Sequence, residues 1–320
     1  MNTILNLIED YMSGDKWEEL CIECYRSRYQ AENYQHIPAN SGGDAGIEGF
    51  TKSGVVHQCY CPERHYSDNE LYDHQKNKLT TDINKLKKNS KRLKELGVPI
   101  IHEWHFNIPE YRDSRILKHA QKKQEEILAA KHNDSKTYEH IADDFTIVIK
   151  TPNDFKTEIS RIIRNPITDY RLNLAFEHTR NFDWSKCDSE KVENITRKIR
   201  AIMNAPNCDK QINEIIGVYI DYYNSGLVNM HKLQTEFPLI YRDLYRLKET
   251  YENEVKIKTL MNIDHSMNRS IFESILDEFE NKLEKEFSTI FNTASISELK
   301  QDMIAGWLAD CSMEFRRSNE

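Results

Sequence analysis

Every strand signal in this 320-residue chain lies before about residue 165, and only helical periodicity follows it. A sheet can therefore be built from the first half alone, and the second half must bury helix against helix. Ile47–Thr51 and Val55–Cys59 read as two strands joined by Lys52-Ser53-Gly54, a hairpin signal. Val98–Phe106 reads as a buried strand and Phe145–Lys150 as a last short one. Helices are expected over residues 4–12, 16–30, 70–96 and 114–131. In the second, Trp17, Leu20, Cys21, Cys24 and Tyr25 recur at helical spacing; in the third, Leu79, Ile83, Leu86 and Leu93 share an apolar side and Gly97 sits at the C-cap. The order predicts an α/β domain over 1–165, a small mixed sheet flanked by helices. Asn165-Pro166 marks the boundary. Helical patterns over 188–204, 207–224, 227–255, 268–290 and 296–316 predict an all-α domain over 166–320. They lack sustained heptads, which favours a globular bundle over a coiled coil.

Composition excludes some classes. No run of about 18 apolar residues is present, so no membrane span is expected. The first 20 residues carry acids where a signal peptide has a basic region and an apolar stretch, which predicts a cytoplasmic protein. Seven cysteines, an odd number, fit reduced thiols. The net charge of −8 does not mark a nucleic-acid binder, so the location of charge decides. Between Lys76 and Lys94 stand Lys76, Lys78, Lys85, Lys87, Lys88, Lys91, Arg92 and Lys94 against the single acid Asp82. Most such runs are solvated helix faces. This one departs from the acidic whole and follows the most distinctive motif, so Lys76, Lys85 and Lys88, with Lys52 of the hairpin, are candidate phosphate contacts.

That motif is Gly43-Asp44-Ala45-Gly46-Ile47-Glu48-Gly49-Phe50, followed by Gln58-Cys59-Tyr60. Gly42, Gly43 and Gly46 demand a turn or a close backbone approach. Asp44 lies in the turn, Glu48 opens one strand and Gln58 lies on its hairpin partner, so the pairing can bring these side chains together. Two carboxylates and an amide oxygen are hard ligands. They suit Mg²⁺ or Mn²⁺ better than zinc, and such an ion activates water and offsets charge on a phosphate. Solvated acids on an ordinary glycine turn are the simpler account of Gly43–Gly49. A sheet-edge amide is the simpler account of Gln58 alone. The order of acid, hairpin and Gln favours a site.

The phrase Gly-Gly-Asp-x-Gly-Ile-Glu-Gly, then a strand ending at Gln58, resembles the PD-(D/E)xK restriction-endonuclease-like superfamily. The likeness is to its Mrr-like branch, in which Gln replaces the second acid. The helix carrying Trp17-Glu18-Glu19-Leu20 also matches that branch. Glu48-Gly49-Phe50-Thr51 and Gln58-Cys59-Tyr60-Cys61-Pro62-Glu63 are similar to nuclease subunits of antiphage systems built on SMC-like or ABC-type ATPases, such as Lamassu. The likeness covers the first half; in the second it rests on the ending around Trp307–Phe315. It implies a metal-dependent DNA endonuclease, with Asp44, Glu48 and Gln58 on the metal. It also implies an ATPase and a further subunit as partners, docking by the helical domain, and association of copies to cut both strands. One position departs: Tyr60 stands where the family places Lys. Lys78, Lys85 and Lys52 can replace it; Lys78, on the helix expected to pack beside the motif strand, is the chosen catalytic base-side cation. The alternative is a nuclease-fold subunit that has lost hydrolysis and only binds DNA or partner proteins. An adaptor working through its helical half ranks behind both.

Glu19 and Glu23, on the preceding helix, are within reach of a metal but read more simply as surface acids. Cys21-x-x-Cys24 with Cys59-x-Cys61 offers four thiolates, yet these positions fit core cysteines better than zinc ligands. His65 and His74 are rim candidates. No phosphate-binding Gly-rich loop ending in Lys-Ser/Thr and no Gly-x-Ser-x-Gly elbow occurs.

Overall fold

Five strands form one mixed sheet in the computed structural model, which describes residues 3–8, 12–38, 45–174, 188–205, 208–310 and 312–316. In spatial order they are β1 (Gln35–His36), β2 (Gly49–Phe50), β3 (Val55–Cys59), β4 (Ile101–Asn107) and β5 (Ile141–Lys150). β1, β2 and β3 pair antiparallel, while β3, β4 and β5 pair parallel. Parallel neighbours need long crossovers. α3 (Asp68–Lys88) with α4 (Ser90–Glu95) carries the first, and α5 (Arg115–Asn133) the second. Before the sheet stand α1 (Thr3–Asn6) and α2 (Gly14–Arg28). After β5 comes α6 (Lys156–Arg164).

Alternation along β3 and β4 sorts their side chains to two faces. Val56, Trp104 and Phe106 join Leu79, Ile83 and Leu86 of α3 and Ile116, Ala120 and Ile127 of α5 in one core. His57, Cys59, His105 and Asn107 take the opposite face, where α2 packs. Trp17 Nε1 donates to the Asn107 carbonyl oxygen at 3.2 Å. The Tyr25 ring stacks on His57 with centroids 4.0 Å apart.

Several elements differ from their sequence-based expectation. The helix expected over 70–96 is two, α3 and α4, meeting at Asn89, whose side-chain amide joins its own backbone N–H on the Lys85 carbonyl. α3 begins earlier, at Asp68, where the Ser67 N–H and hydroxyl both donate to the Glu70 carboxylate at 2.9 and 2.7 Å. β1 and α6 have no counterpart among the expected elements. β5 starts at Ile141 rather than Phe145.

The chain divides into two compact units, Met1–Ile162 and Ile163–Glu320. The second is helical among its described residues apart from short 3₁₀ turns and one isolated bridge, Leu172 to Phe291. Its helices are α7 (Ser189–Met203), α8 (Asp209–Glu236), α9 (Pro238–Leu260), α10 (Asn268–Phe287) and α11 (Thr293–Ala309). α11 is buried on nearly every side, Leu299, Met303 and Trp307 included, and the Trp307 ring meets Tyr251 and Phe279. The helix break expected between residues 224 and 227 does not exist. α8 runs through it, because Gly226 lies inside a helix whose Cβ-free surface meets α11: a Cβ there would stand 3.0 Å from Asp302 Cβ. The break falls instead at Phe237, where Pro238 opens α9 at a position that needs no N–H. No described helix is long and apolar enough to cross a membrane.

Candidate active site

The glycine turn explains where the motif sits. Ala45 and Gly46 both have positive φ, 52° and 89°. Gly46 presses on α3: a Cβ there would collide with the Asp82 carbonyl oxygen and come within 2.9 Å of the Leu86 nitrogen. Trp104 Nε1 donates to the Gly46 carbonyl at 2.9 Å, tying the turn to β4 from inside the core. The turn, α3 and the central strands are thus fixed to one another, and Glu48 leaves the turn beside β3. Asp44 lies outside the described residues.

Glu48 and Gln58 meet. Gln58 Nε2 donates to Glu48 Oε1 at 2.6 Å, and the Cys59 backbone N–H donates to Glu48 Oε2 at 3.0 Å. Both side chains are buried. The register explains the contact: Gly49 pairs with His57, which sets Glu48 against the next residues of β3. The Glu48 carboxyl is pushed up to about 8. Burial is the main cause, the hydrogen bonds from Cys59 act against it, Glu18 adds to it, and Lys78 opposes it. Gln58 Oε1, by contrast, is buried with no hydrogen-bond partner.

Among the cations singled out from sequence, the charge of Lys78 acts on Glu48 and lowers its pKa. Its Nζ lies 2.9 Å from Asp82 Oδ2, and Lys85 Nζ lies 3.2 Å from Asp82 Oδ1. Asp82, the lone acid of the basic run, is fully buried between them. Both ammonium groups are at ion-pair distance without the alignment of a hydrogen bond. Lys76 is two residues before Lys78 and so points to the other side of α3; its Nζ stands 5.8 Å from the Tyr72 ring centroid. Lys88 is exposed in the last turn of α3, and Lys52 is exposed at the hairpin tip. The four candidate phosphate contacts therefore do not share one face. Tyr60, at the family's lysine position, is half-buried with its ring parallel to Phe106 at 6.4 Å.

On α2 the acid that acts on Glu48 is Glu18. Glu19 is exposed, and Glu23 pairs with Arg26 at 2.6 Å. The spacing of α2 carried the signal: Glu18 sits one residue from buried Trp17 and three from buried Cys21, so it flanks the packed face.

On the α2 face, Glu48, His57 and Cys59 each bring one ligand-type atom within 4.8 Å of the others. Positions 57 and 59 flank Gln58 and share a face by strand alternation, a signal the sequence reading did not use. His57 is spoken for: its Nε2 lies 2.8 Å from the Tyr34 hydroxyl, and its ring lies on Tyr25. Burial drives its pKa down to about 3, so the imidazole is neutral. Cys59 Sγ lies 3.9 Å from His57 Nδ1, and burial holds the thiol well above its ordinary value. The four-thiolate arrangement does not form as a set, since Cys61 Sγ donates to the Met12 carbonyl at 3.1 Å.

Two donor sets thus share Glu48. With Gln58 it offers carboxylate and amide oxygens, which suit a hard divalent cation; with His57 and Cys59 it offers the mixed set of a softer metal. In the first set Gln58 Oε1 is a buried oxygen lacking a partner; in the second His57 Nδ1 faces Cys59 Sγ while its Nε2 meets the Tyr34 hydroxyl, and a cation in either would offset the desolvation of Glu48. Comparison with family models, with curated proteins and with solved structures finds no match for this chain.

Proposed function

We propose that the first unit is a metal-dependent phosphodiesterase of the PD-(D/E)xK type that cuts DNA. We further infer that it serves as the effector of an antiphage complex controlled by an SMC-like or ABC-type ATPase with a further subunit. The observation that carries the enzymatic reading is the buried Glu48–Gln58 pair, ten residues apart in sequence, with the charge of Lys78 acting on Glu48. The defence complex rests on the sequence resemblance alone.

In this reading Glu48 and Gln58 Oε1 would hold Mg²⁺ or Mn²⁺, with Asp44 as the further ligand that the motif would supply. When bound, the ion supplies an activated water and offsets charge on the phosphate. Lys78 stands in for the missing motif lysine. Its ammonium, held by Asp82 on a helix that also packs against the glycine turn, neutralises charge building on the phosphate oxygens. Lys85, beside Asp82, extends positive charge along the backbone of the substrate. A nonspecific nuclease needs restraint in its host, and the helical unit is the part available to take a controlling partner.

A second reading has one observation in its favour. Tyr60 fills the lysine position with its ring against Phe106, and Lys78 is already engaged by Asp82. A subunit so arranged grips DNA or partners without cutting.

Plasmid DNA with Mg²⁺ or Mn²⁺ separates the two, with the protein alone and with its neighbouring ATPase, comparing wild type with Glu48→Ala. Nicking or linearisation by wild type only is expected. Intact plasmid with wild type and partner, alongside retained DNA binding, would end the enzymatic assignment in favour of the binding subunit.

A further inference from the structure

The second unit contains a cavity of about 320 Å³ between α8, α9 and α11, the volume range of small-molecule sites. Its wall is aromatic and soft: Tyr223, Tyr241 and Tyr245, with Met230 and Met303. One ionisable group in that lining is buried. Asp302 of α11 is only 4% exposed. Asn229 Nδ2 donates to its Oδ2 at 2.8 Å, and Oδ1 has no hydrogen-bond partner in the protein.

This arrangement is unusual for a core. A buried carboxyl oxygen without a partner is costly whether or not the group is ionised, and apolar residues of similar volume would pack α8 against α11 at less expense in free energy. The helices instead keep Gly226 against Asp302, so that the backbones approach closely around the acid. Gly306, one turn further along α11, also lines the cavity, and a Cβ built there meets no atom within 4 Å. The hollow is therefore roomy beside the acid. Tyrosine faces attract cations, and methionines adapt to an apolar body.

We propose that this cavity binds a small organic amine, its ammonium paired with the Asp302 carboxyl group and its apolar or aromatic body between the tyrosines and methionines. The site is independent of the nuclease reading and involves none of the residues of the first unit. Other charges in the lining do not compete for this role. Asp310 pairs with Lys191 at 2.9 Å, and Lys248 Nζ stands 5.9 Å from the Tyr245 ring centroid.

Three probes of one shape test it on the full chain by titration calorimetry: phenethylamine, 2-phenylethanol and 3-phenylpropionate. Phenethylamine is expected to saturate the wild type with a Kd at least about tenfold below those of the alcohol and the acid. Asp302→Asn should erase that preference. Gly306→Leu, which places a side chain in open space on a helix, should remove binding while far-UV circular dichroism stays unchanged. Equal affinity for amine and alcohol would overturn the proposal by showing an apolar hollow. Preference for the acid would overturn it in favour of Lys248. Absence of saturable binding by all three would show that the cavity is not a site. The comparison among probes on wild type decides the matter even if Asp302→Asn does not fold.

Discussion

At the scale of single residues, the structure separates lysines that the sequence presents as one run. The charge of Lys78 acts on Glu48, and Lys78 and Lys85 meet opposite carboxylate oxygens of Asp82. On the nuclease reading, Lys78→Ala should lower the cleavage rate at saturating DNA by roughly 10²-fold or more, the loss that follows removal of one transition-state donor. Lys85→Ala should weaken DNA binding and flatten its salt dependence, with little change in the saturated rate. Equal losses in rate for the two variants would show that neither ammonium is placed at the chemistry. Asp302 supports a prediction about pH. Burial chiefly raises its carboxyl to about 8, with the Asn229 hydrogen bond opposing and Glu298 adding. The folded state then holds a proton that the unfolded chain releases near pH 4. Stability from this group is full below that pH, falls as pH rises, and is gone once pH passes about 8. Asp302→Asn does not titrate, so its melting temperature relative to wild type should climb steadily between about pH 5 and 9. Parallel melting curves across that range would show that Asp302 is ionised in the folded protein.

At the scale of elements, the glycine turn is what couples sequence to site. Three glycines signalled a close approach, and Gly46 makes it, on the backbone of α3 at Asp82. Gly46→Ala combines a φ of 89° with a steric clash against α3, so it should cost at least about 1–3 kcal/mol, read as a lower urea midpoint. A change below about 0.5 kcal/mol would mean that the turn shifts freely and does not fix Glu48. Much of this region was legible in advance. The strand pair that joins Glu48 to Gln58 followed from alternation and a hairpin tripeptide, and the Lys78 helix followed from its apolar stripe. What stayed hidden was tertiary in origin. β1 is two residues long and exists only as a partner for β2. Asn-Ser-Gly at 224–226 carries the local signature of a turn, yet packing against Asp302 keeps it helical. His57 and Cys59 read as ordinary strand residues until α2 supplies Tyr25 and Cys21 on their face.

At the scale of the whole molecule, each unit closes a core from its own residues. In the first, Trp104 is fully buried between β3 and β5, in the core that α3 and α5 cover, and its indole N–H anchors the glycine turn. In the second, Trp307 is fully buried against Tyr251 and Phe279. The change of texture near residue 165 was visible because a sheet demands alternating or continuous apolar strands, and the later sequence offers none. It could not show which acids and cations converge, since that depends on register and on helix approach rather than on pattern. Two separate cores make a single unfolding free energy a poor description of this chain. Truncating one tryptophan should therefore act locally. Trp104→Ala should cost about 3–5 kcal/mol in the first unit. In native-state hydrogen exchange this should appear as lost protection in peptides covering β4 and β5, with peptides covering α8 and α11 unchanged. Trp307→Ala should give the converse. Loss of protection across both units from either substitution would show that the cores unfold as one cooperative body, so that any ligand stabilising one unit would stabilise the other as well.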